Sequence, residues 1–424
     1  MTQKTIKSFL SSIIDTQQSI FKELGIESTT TDYITGLPAA VNASNLKLLP
    51  LHLDTFYDKV FLRKKQLESK KPHFDLGSLV DIIILEGPEN VDKYFVQVAD
   101  IPKETEFGFI HKLYDNLQTQ NNYLDDMGLP MEPISMDLEV YGGKENKELL
   151  QIILAENWQP RWKDETKIAK VLSEVNKEYW KVLVQDHRKI VQRSIVEEAF
   201  AIAEKFKESE YGKKIMEEIS LKKAVNKFII FIPDFFQVSS EDPSLTGHIK
   251  GELDNLHVYE TSKEINIVIR DLKVMESPKE FIYNFFKFGY DKQSTFYSLL
   301  VISLIKEMSA RNILTLTKDV TISFEYVILE NKSYGQLSEP YVYKLSEATL
   351  NNLANKSSKT GLSLKNLKDF TKSGDNEESE RKSNISMSLQ EIINFLHSQF
   401  KQPDFKKSYL SSEEQGNVFD LVFN

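Results

Sequence analysis

The chain has 424 residues, of which 41% are hydrophobic, including 26 Phe and 17 Tyr; that is enough apolar volume for a large core and excludes a wholly disordered polypeptide. Its 53 Lys and Arg stand against 63 Asp and Glu, a formal net charge of -10, so any nucleic-acid contact must use a local basic surface. The absence of cysteine excludes disulfides, thiolate catalysis and Cys-ligated zinc or iron–sulfur centres, and makes a reducing, cytoplasmic setting the natural one.

In chain order, the spacing of Ile6, Phe9, Leu10, Ile13, Ile14, Ile20, Phe21 and Leu24 predicts a helix over 5–24, closed by Gly25. Lys, Asp and Gln interrupt this run too often for a signal-peptide core, and the other apolar runs are too short to span a bilayer, so a soluble protein with no membrane partner is expected. The stretch ASNLKLLPLHLDTFYDKVFLRKK reads as a helix start broken at Pro50. Within 73–96, Leu76, Leu79, Val80, Ile82, Ile83 and Leu85 suit a buried helix that Gly87-Pro88 ends. Residues 105–225 are charged and mostly helical in pattern.

From Phe228 the period changes. FIIFIPDFF, GELDNLHVYE and INIVIRDLKV read as strands, followed by a helix, STFYSLLVISLIKEMSA, and a further strand, VTISFEYVILE. Near residue 354 the composition turns to Ser, Lys, Asn and Glu, which predicts a flexible linker; Ser388 and Glu391 then make a capping-box pair before IINFLHSQF. The expected organisation is 1–104, N-terminal helices and the first part of a core; 105–225, a helical insertion; 226–353, the rest of the core; and 354–424, a flexible linker with a short C-terminal helix.

The chemistry concentrates in GELDNLHVYETSKEINIVIRDLK, Gly251 to Lys273. Alternation puts Glu252 and Asp254 on one strand face, and Asp271 and Lys273 on one face of the next strand. A loop centred between Ser262 and Lys263 sets Asp254 opposite Asp271 and Glu252 opposite Lys273, gathering three carboxylates and one ammonium on a single hairpin. Facing carboxylates repel unless a proton or cation lies between them, and oxygen donors without Cys or His suit a hard ion, Mg²⁺ or Mn²⁺. The alternative is a plain sheet face with a Glu–Lys ion pair and solvated aspartates.

Further elements share this order. Gly77-Ser78-Leu79-Val80-Asp81 lies on the upstream helix, Gly251-Glu252-Leu253-Asp254 and Asp271-Leu272-Lys273 on the strands, and Gln293-Ser294-Thr295-Phe296-Tyr297 on the helix after them, followed by FEYVILENKSYGQLSEPYVYKLS. Over residues 40–98 and 228–348 this order resembles the PD-(D/E)XK nuclease superfamily, and within it the RecB-type, phage exonuclease VIII-like (RecE-like) branch. The departure is Asp81, where that branch has a metal-ligating His. The resemblance implies an α/β fold with a restriction-endonuclease-like core, a small mixed central sheet flanked by helices, enlarged by a helical insertion and a flexible C-terminal tail. It further implies a Mg²⁺-dependent DNA exonuclease (Mn²⁺ as substitute) acting on duplex ends in phage-type recombination or repair, in a bacterial or phage-infected host cell. Asp254 and Asp271 would hold one metal, with Asp81 or Glu252 helping a second; Asp81 could instead cap or pair within its helix, and Glu252 could be only a partner of Lys273. Lys273 would position the attacking water, and Gln293 would orient the lysine or contact DNA, with Tyr297 either beside it or in the core. A homo-oligomer and a single-strand annealing or replication partner also belong to what the resemblance implies.

Positive charge for DNA is available at Lys59, Arg63, Lys64, Lys65, Lys70 and Lys71, of which Lys64 and Lys65 are the leading candidates, and around Trp158, Trp162 and Trp180 in the helical stretch. Solvated helix faces with the tryptophans in a core are the competing account. The end, QGNVFDLVFN, suits a returning strand or a docking peptide. Two other functions stay open: a structure-specific or single-strand nuclease of the same fold, and a non-cleaving DNA- or protein-binding module on a nuclease fold.

Overall fold

From Ala224 onward apolar side chains recur in strand-like runs, and these runs build the sheet. The computed structural model describes residues 8–26, 40–46, 56, 60, 72–121, 147–186, 188–237, 246–313, 318–331 and 339–355. Among them, the strands are β1 (Ala40–Val41), β2 (Phe95–Val98), β3 (Lys189–Gln192), β4 (Ala224–Gln237), β5 (Thr246–Glu260), β6 (Glu264–Met275), β7 (Asp319–Glu330) and β8 (Tyr341–Leu345). The chain divides into two compact units, residues 1–69 with 204–424, and residues 70–203.

The first unit is α/β, with a central mixed sheet flanked by helices. β5, β6, β7 and β8 lie side by side; β5–β6 and β7–β8 are antiparallel and β6–β7 is parallel. The β5–β6 hairpin has the register expected from its loop, as Asn255↔Arg270 and Glu260↔Ile265 show. Thr261 fixes that loop: its hydroxyl accepts the backbone N–H groups of Glu264 at 2.9 Å and Lys263 at 3.3 Å, a local turn bond that pins the register of the whole hairpin. β4 runs antiparallel along one edge of β5, and the short β1 pairs parallel with it at Ala40↔His248 and Val41↔Ile249. Ile249 is bonded on its other side to Ile232 of β4, so β1 and β6 share the opposite edge of β5.

The helix expected over 5–24 runs from Phe9 to Glu23, closed by Gly25 at φ 72°. It packs against β4 and against the helix Tyr290–Ala310, which itself covers β4, β5 and β7 and meets the helix Glu347–Asn355. Between helices and sheet lies a core in which Ile230, Phe231, Leu253, Leu256, Ile267, Ile269, Leu300 and Phe324 are fully buried.

A continuous polar row crosses this sheet. Asn226, Asn255, Arg270, Glu325 and Lys344 are register partners on five successive strands. Each is bonded to the next: Asn255 Nδ2–H to Asn226 Oδ1 (2.7 Å), Arg270 Nη1–H to Asn255 Oδ1 (3.0 Å), Arg270 Nε–H to Glu325 Oε2 (3.0 Å) and Lys344 Nζ to Glu325 Oε1 (3.0 Å). The helix Glu210–Ser220 closes over the row, with Glu218 accepting from Arg270 Nη1 at 2.6 Å and Tyr211 donating to Glu325 Oε2 at 2.5 Å. Arg270 is 2% exposed, a buried charge made tolerable by two carboxylates and an amide.

The second unit holds the expected buried helix, Pro72–Leu85, with Leu79 and Val80 fully buried. It also holds the parallel pair β2–β3, from Phe95↔Lys189 to Val98↔Gln192. Helices at 104–121, 147–155, 164–171 and 174–185 carry its core of Phe109, Ile110, Leu113, Ile153, Val171, Tyr179 and Trp180. Trp180 is core, whereas Trp158 is partly exposed, stacks on Phe109 at 4.7 Å, meets Trp162 edge-on and donates its indole N–H to Thr105 O. No helix among the described residues is long and apolar enough to cross a membrane.

Candidate active site where two strands part

The register pairs of β5 and β6 end at Asn255↔Arg270, one step short of Asp254 and Asp271. β6 remains paired to β7 as far as Met275↔Glu330, and β5 remains paired to β4. The two strands therefore separate from each other while each stays in the sheet. On that edge of β5, β6 ends at Asn255 and β1 begins at Ile249, which leaves residues 250–254, with Gly251, Glu252 and Asp254, bordering the opening.

Asp254 itself holds the strands where they part. Its Oδ2 accepts the backbone N–H of Leu272 at 2.9 Å, replacing the ladder bond that β6 no longer receives from the β5 main chain. Asp271, with its side chain 3% exposed, is bonded by its own strand and by the helix Tyr290–Ala310. Lys273 Nζ forms an ion pair with Oδ2, and Gln293 Nε2–H donates to Oδ1 at 2.8 Å. Gln293 is on the first turns of that helix, one turn before Tyr297.

Strand and helix come close at Gly251. A Cβ there would lie 2.6 Å from Leu300 Cδ1 and 3.1 Å from Tyr297 Cε1, so an added methyl would require these two side chains to give way. Tyr297 is thus packed against β5. Burial, then the charges of Asp271 and Asp254, push its phenol well above the ordinary range, so it is a neutral hydroxyl at any physiological pH. Tyr290 and Tyr326 are raised in the same way, by burial first and then, for Tyr326, by Asp271; the Tyr326 hydroxyl donates to Tyr290 O at 2.5 Å.

The register pairs that would set Glu252 opposite Lys273 lie beyond the last pair of the β5–β6 ladder; Lys273 forms an ion pair with Asp271, two residues back on its own strand. Glu252 also meets Lys227 of β4, whose Nζ is 3.4 Å from Glu252 Oε1 and 3.1 Å from Asp254 Oδ1. Three carboxylates thus meet two ammonium groups, Lys227 and Lys273. Lys227, Tyr290 and Tyr326 were not legible as site residues. Finding Lys227 requires the β4–β5 register and finding Tyr326 requires its pairing with Asp271 in β6–β7, neither of which the local pattern discloses.

Asp254, Asp271, Lys273, Gln293, Glu252 and Tyr297 all belong to the first unit. Asp81 is half-buried on the helix Pro72–Leu85 of the second. Lys64, Lys65, the linker beyond residue 355 and the C-terminal helix lie outside the described residues.

As donors for a divalent ion, the carboxylates of Asp254 and Asp271 fit Mg²⁺ or Mn²⁺ in kind: hard oxygens without competing imidazole or thiolate. Their oxygens are bonded to lysine, glutamine and main-chain N–H groups, and among the described residues no group of three or more Asp, Glu or His side chains converges as a metal cage. An ion would therefore bind by displacing an ammonium. No protein-family model matches the chain, and no curated protein matches it at a significant level of similarity.

Proposed function

We propose that the opening between β5 and β6 is a phosphodiester-hydrolysing centre of restriction-endonuclease type, and that the protein is a Mg²⁺-dependent DNA exonuclease acting at duplex ends in recombination or repair. The observation that carries this reading is the parting of the strands at Asp254 and Asp271, with the Lys273 ammonium on Asp271 and Gln293 clamping the same carboxylate from the helix. Mg²⁺, or Mn²⁺ in its place, would be held by Asp254 and Asp271 and would supply Lewis-acid stabilisation of charge on the phosphate.

The remaining work falls to the chain's own groups. Gln293 fixes the rotamer of Asp271, and Leu272 N–H fixes that of Asp254, so neither carboxylate has to be ordered when substrate arrives. Lys273, held on Asp271, would orient a water beside a phosphate and offset the negative charge that develops there. In the hydrolysis the water oxygen forms a bond to phosphorus, the phosphorus–oxygen ester bond breaks, and the departing sugar hydroxyl takes up a proton. Tyr290, Tyr297 and Tyr326, kept neutral by burial, wall the aspartates with low-dielectric surface that strengthens each of these contacts.

End-labelled linear duplex incubated with the protein and millimolar Mg²⁺ should be degraded while closed circular DNA stays intact, and Lys273→Ala should lose about 100-fold or more in rate with its fold unchanged. Parental cutting by that variant, or intact linear DNA with both Mg²⁺ and Mn²⁺, would sink the assignment. A second reading rests on the ion pairs: carboxylates already paired with Lys227 and Lys273 suit a module that binds DNA without cutting it. DNA affinity without cleavage under the same conditions decides for that one.

A further inference from the structure

Lys227 lies in the interior of β4 yet has a left-handed backbone, φ 48°. A residue with a Cβ enters that region only where its surroundings impose it. In the β4–β5 register it falls opposite Asp254, between Asn226↔Asn255 and Phe228↔Leu253. From there its ammonium reaches two carboxylates at once, Asp254 at 3.1 Å and Glu252 at 3.4 Å, with a side chain only 17% exposed. The second oxygen of Asp254 is taken by Leu272 N–H, so with Lys227 in place both oxygens of that carboxylate are engaged. Two carboxylates bridged in this way need a cation, and the protein supplies its own.

We propose that Lys227 is an internal counter-ion that competes with a divalent metal for Asp254 and Glu252, so that the centre accepts metal only when the ammonium leaves. The proposal rests on the reading of Asp254 as a metal-holding carboxylate, and it makes Lys227 the residue that sets how much metal the centre demands. Once displaced, the ammonium stays within side-chain reach of the opening, where a phosphodiester would be its next available anion.

Calorimetric titration of the full chain with Mn²⁺ alone, compared with Lys227→Met and Lys227→Gly, tests this without any catalytic readout. Methionine keeps the stem and removes the charge; glycine suits the left-handed backbone, so that at least one variant folds. Both should bind Mn²⁺ about tenfold or more tightly than the parent, the scale expected when one partly buried opposing ammonium is removed. Adding Asp254→Asn should abolish the gain. Unchanged or weaker Mn²⁺ binding in a folded variant would overturn the proposal, as would a gain that survives Asp254→Asn. Cleavage of linear duplex is scored separately. Tight Mn²⁺ binding by the variants with no cutting by any protein removes the nuclease and leaves the competition standing, whereas cutting by the parent with unaltered Mn²⁺ affinities does the reverse.

Discussion

Two neighbouring rows of side chains cross the central sheet on opposite faces, and they are finished differently. The row Asn226–Asn255–Arg270–Glu325–Lys344 is bonded at every step from β4 to β8 and is covered by Glu218 and Tyr211. One residue along, the row that contains Asp254, Asp271 and Tyr326 is interrupted between β5 and β6, and its carboxylates are held by lysines and a glutamine. A closed polar row spends its hydrogen-bonding capacity on itself and acts as a brace. An open one keeps charge available at a place where main-chain pairing has stopped. Since Arg270 precedes Asp271 and Asn255 follows Asp254, the brace fixes the last paired residues before the strands part, and so fixes where the opening lies.

The largest effect should come from breaking the brace. Arg270→Ala leaves Glu218 and Glu325 buried without their shared cation, and removing one member of a buried charge group costs about 3–5 kcal/mol. Denaturant unfolding should show that loss in the first unit. A variant within about 1 kcal/mol of the parent would mean that the row is decoration rather than brace, since surface ion pairs contribute about that much.

A smaller loss should follow from disturbing the open row without touching its charges. In Gly251→Ala the new methyl would meet Leu300 and Tyr297 at 2.6 and 3.1 Å, and such overpacking costs about 1–3 kcal/mol. If the Leu300 and Tyr297 side chains transmit the strain to the helix Tyr290–Ala310, Gln293 should lose its hold on Asp271, and cleavage should fall further than stability. Equal stability and activity to the parent would show that helix and strand can yield at this point.

How much of this was readable beforehand follows from the range over which each feature is determined. The hairpin register was legible because Thr261 and the alternation of INIVIRDLK fix it within twenty residues. The helix carrying Gln293 was legible from its apolar periodicity. Where β5 and β6 part was not, because it depends on Asp254 taking the N–H of Leu272, a side-chain event that period-two patterning does not express. Lys227 was hidden for a different reason: its role depends on a left-handed residue inside a strand that reads as continuous, next to the apolar run FIIFIPDFF.

The finest comparison between the rows is by pH. His257 lies beside the brace, with Nδ1 3.7 Å from Glu218 Oε2. Burial holds its pKa below the usual histidine value, the attraction of Glu218 opposing this and the positive charges of Arg270 and Lys214 adding to it, with Glu325 a further, weaker attraction. On acidification the unfolded chain therefore takes up this proton first. Stability should begin to fall as the pH drops through about 6.5, the unfolded value, and this contribution should be fully lost once the pH is below the folded value. One proton allows a slope no steeper than about 1.4 kcal/mol per pH unit. Glu325 adds a second loss at lower pH. Burial raises its pKa, but the Tyr211 hydroxyl, Arg270 and Lys344 together outweigh burial and keep the carboxyl below the ordinary range, so its contribution is present above about pH 4.3 and disappears beneath it. His257→Gln should therefore flatten the fall in unfolding free energy that begins near pH 6.5 while leaving the drop beneath about pH 4.3 in place. If the variant keeps the parental slope across the upper window, the acid sensitivity of this sheet resides elsewhere than in the brace.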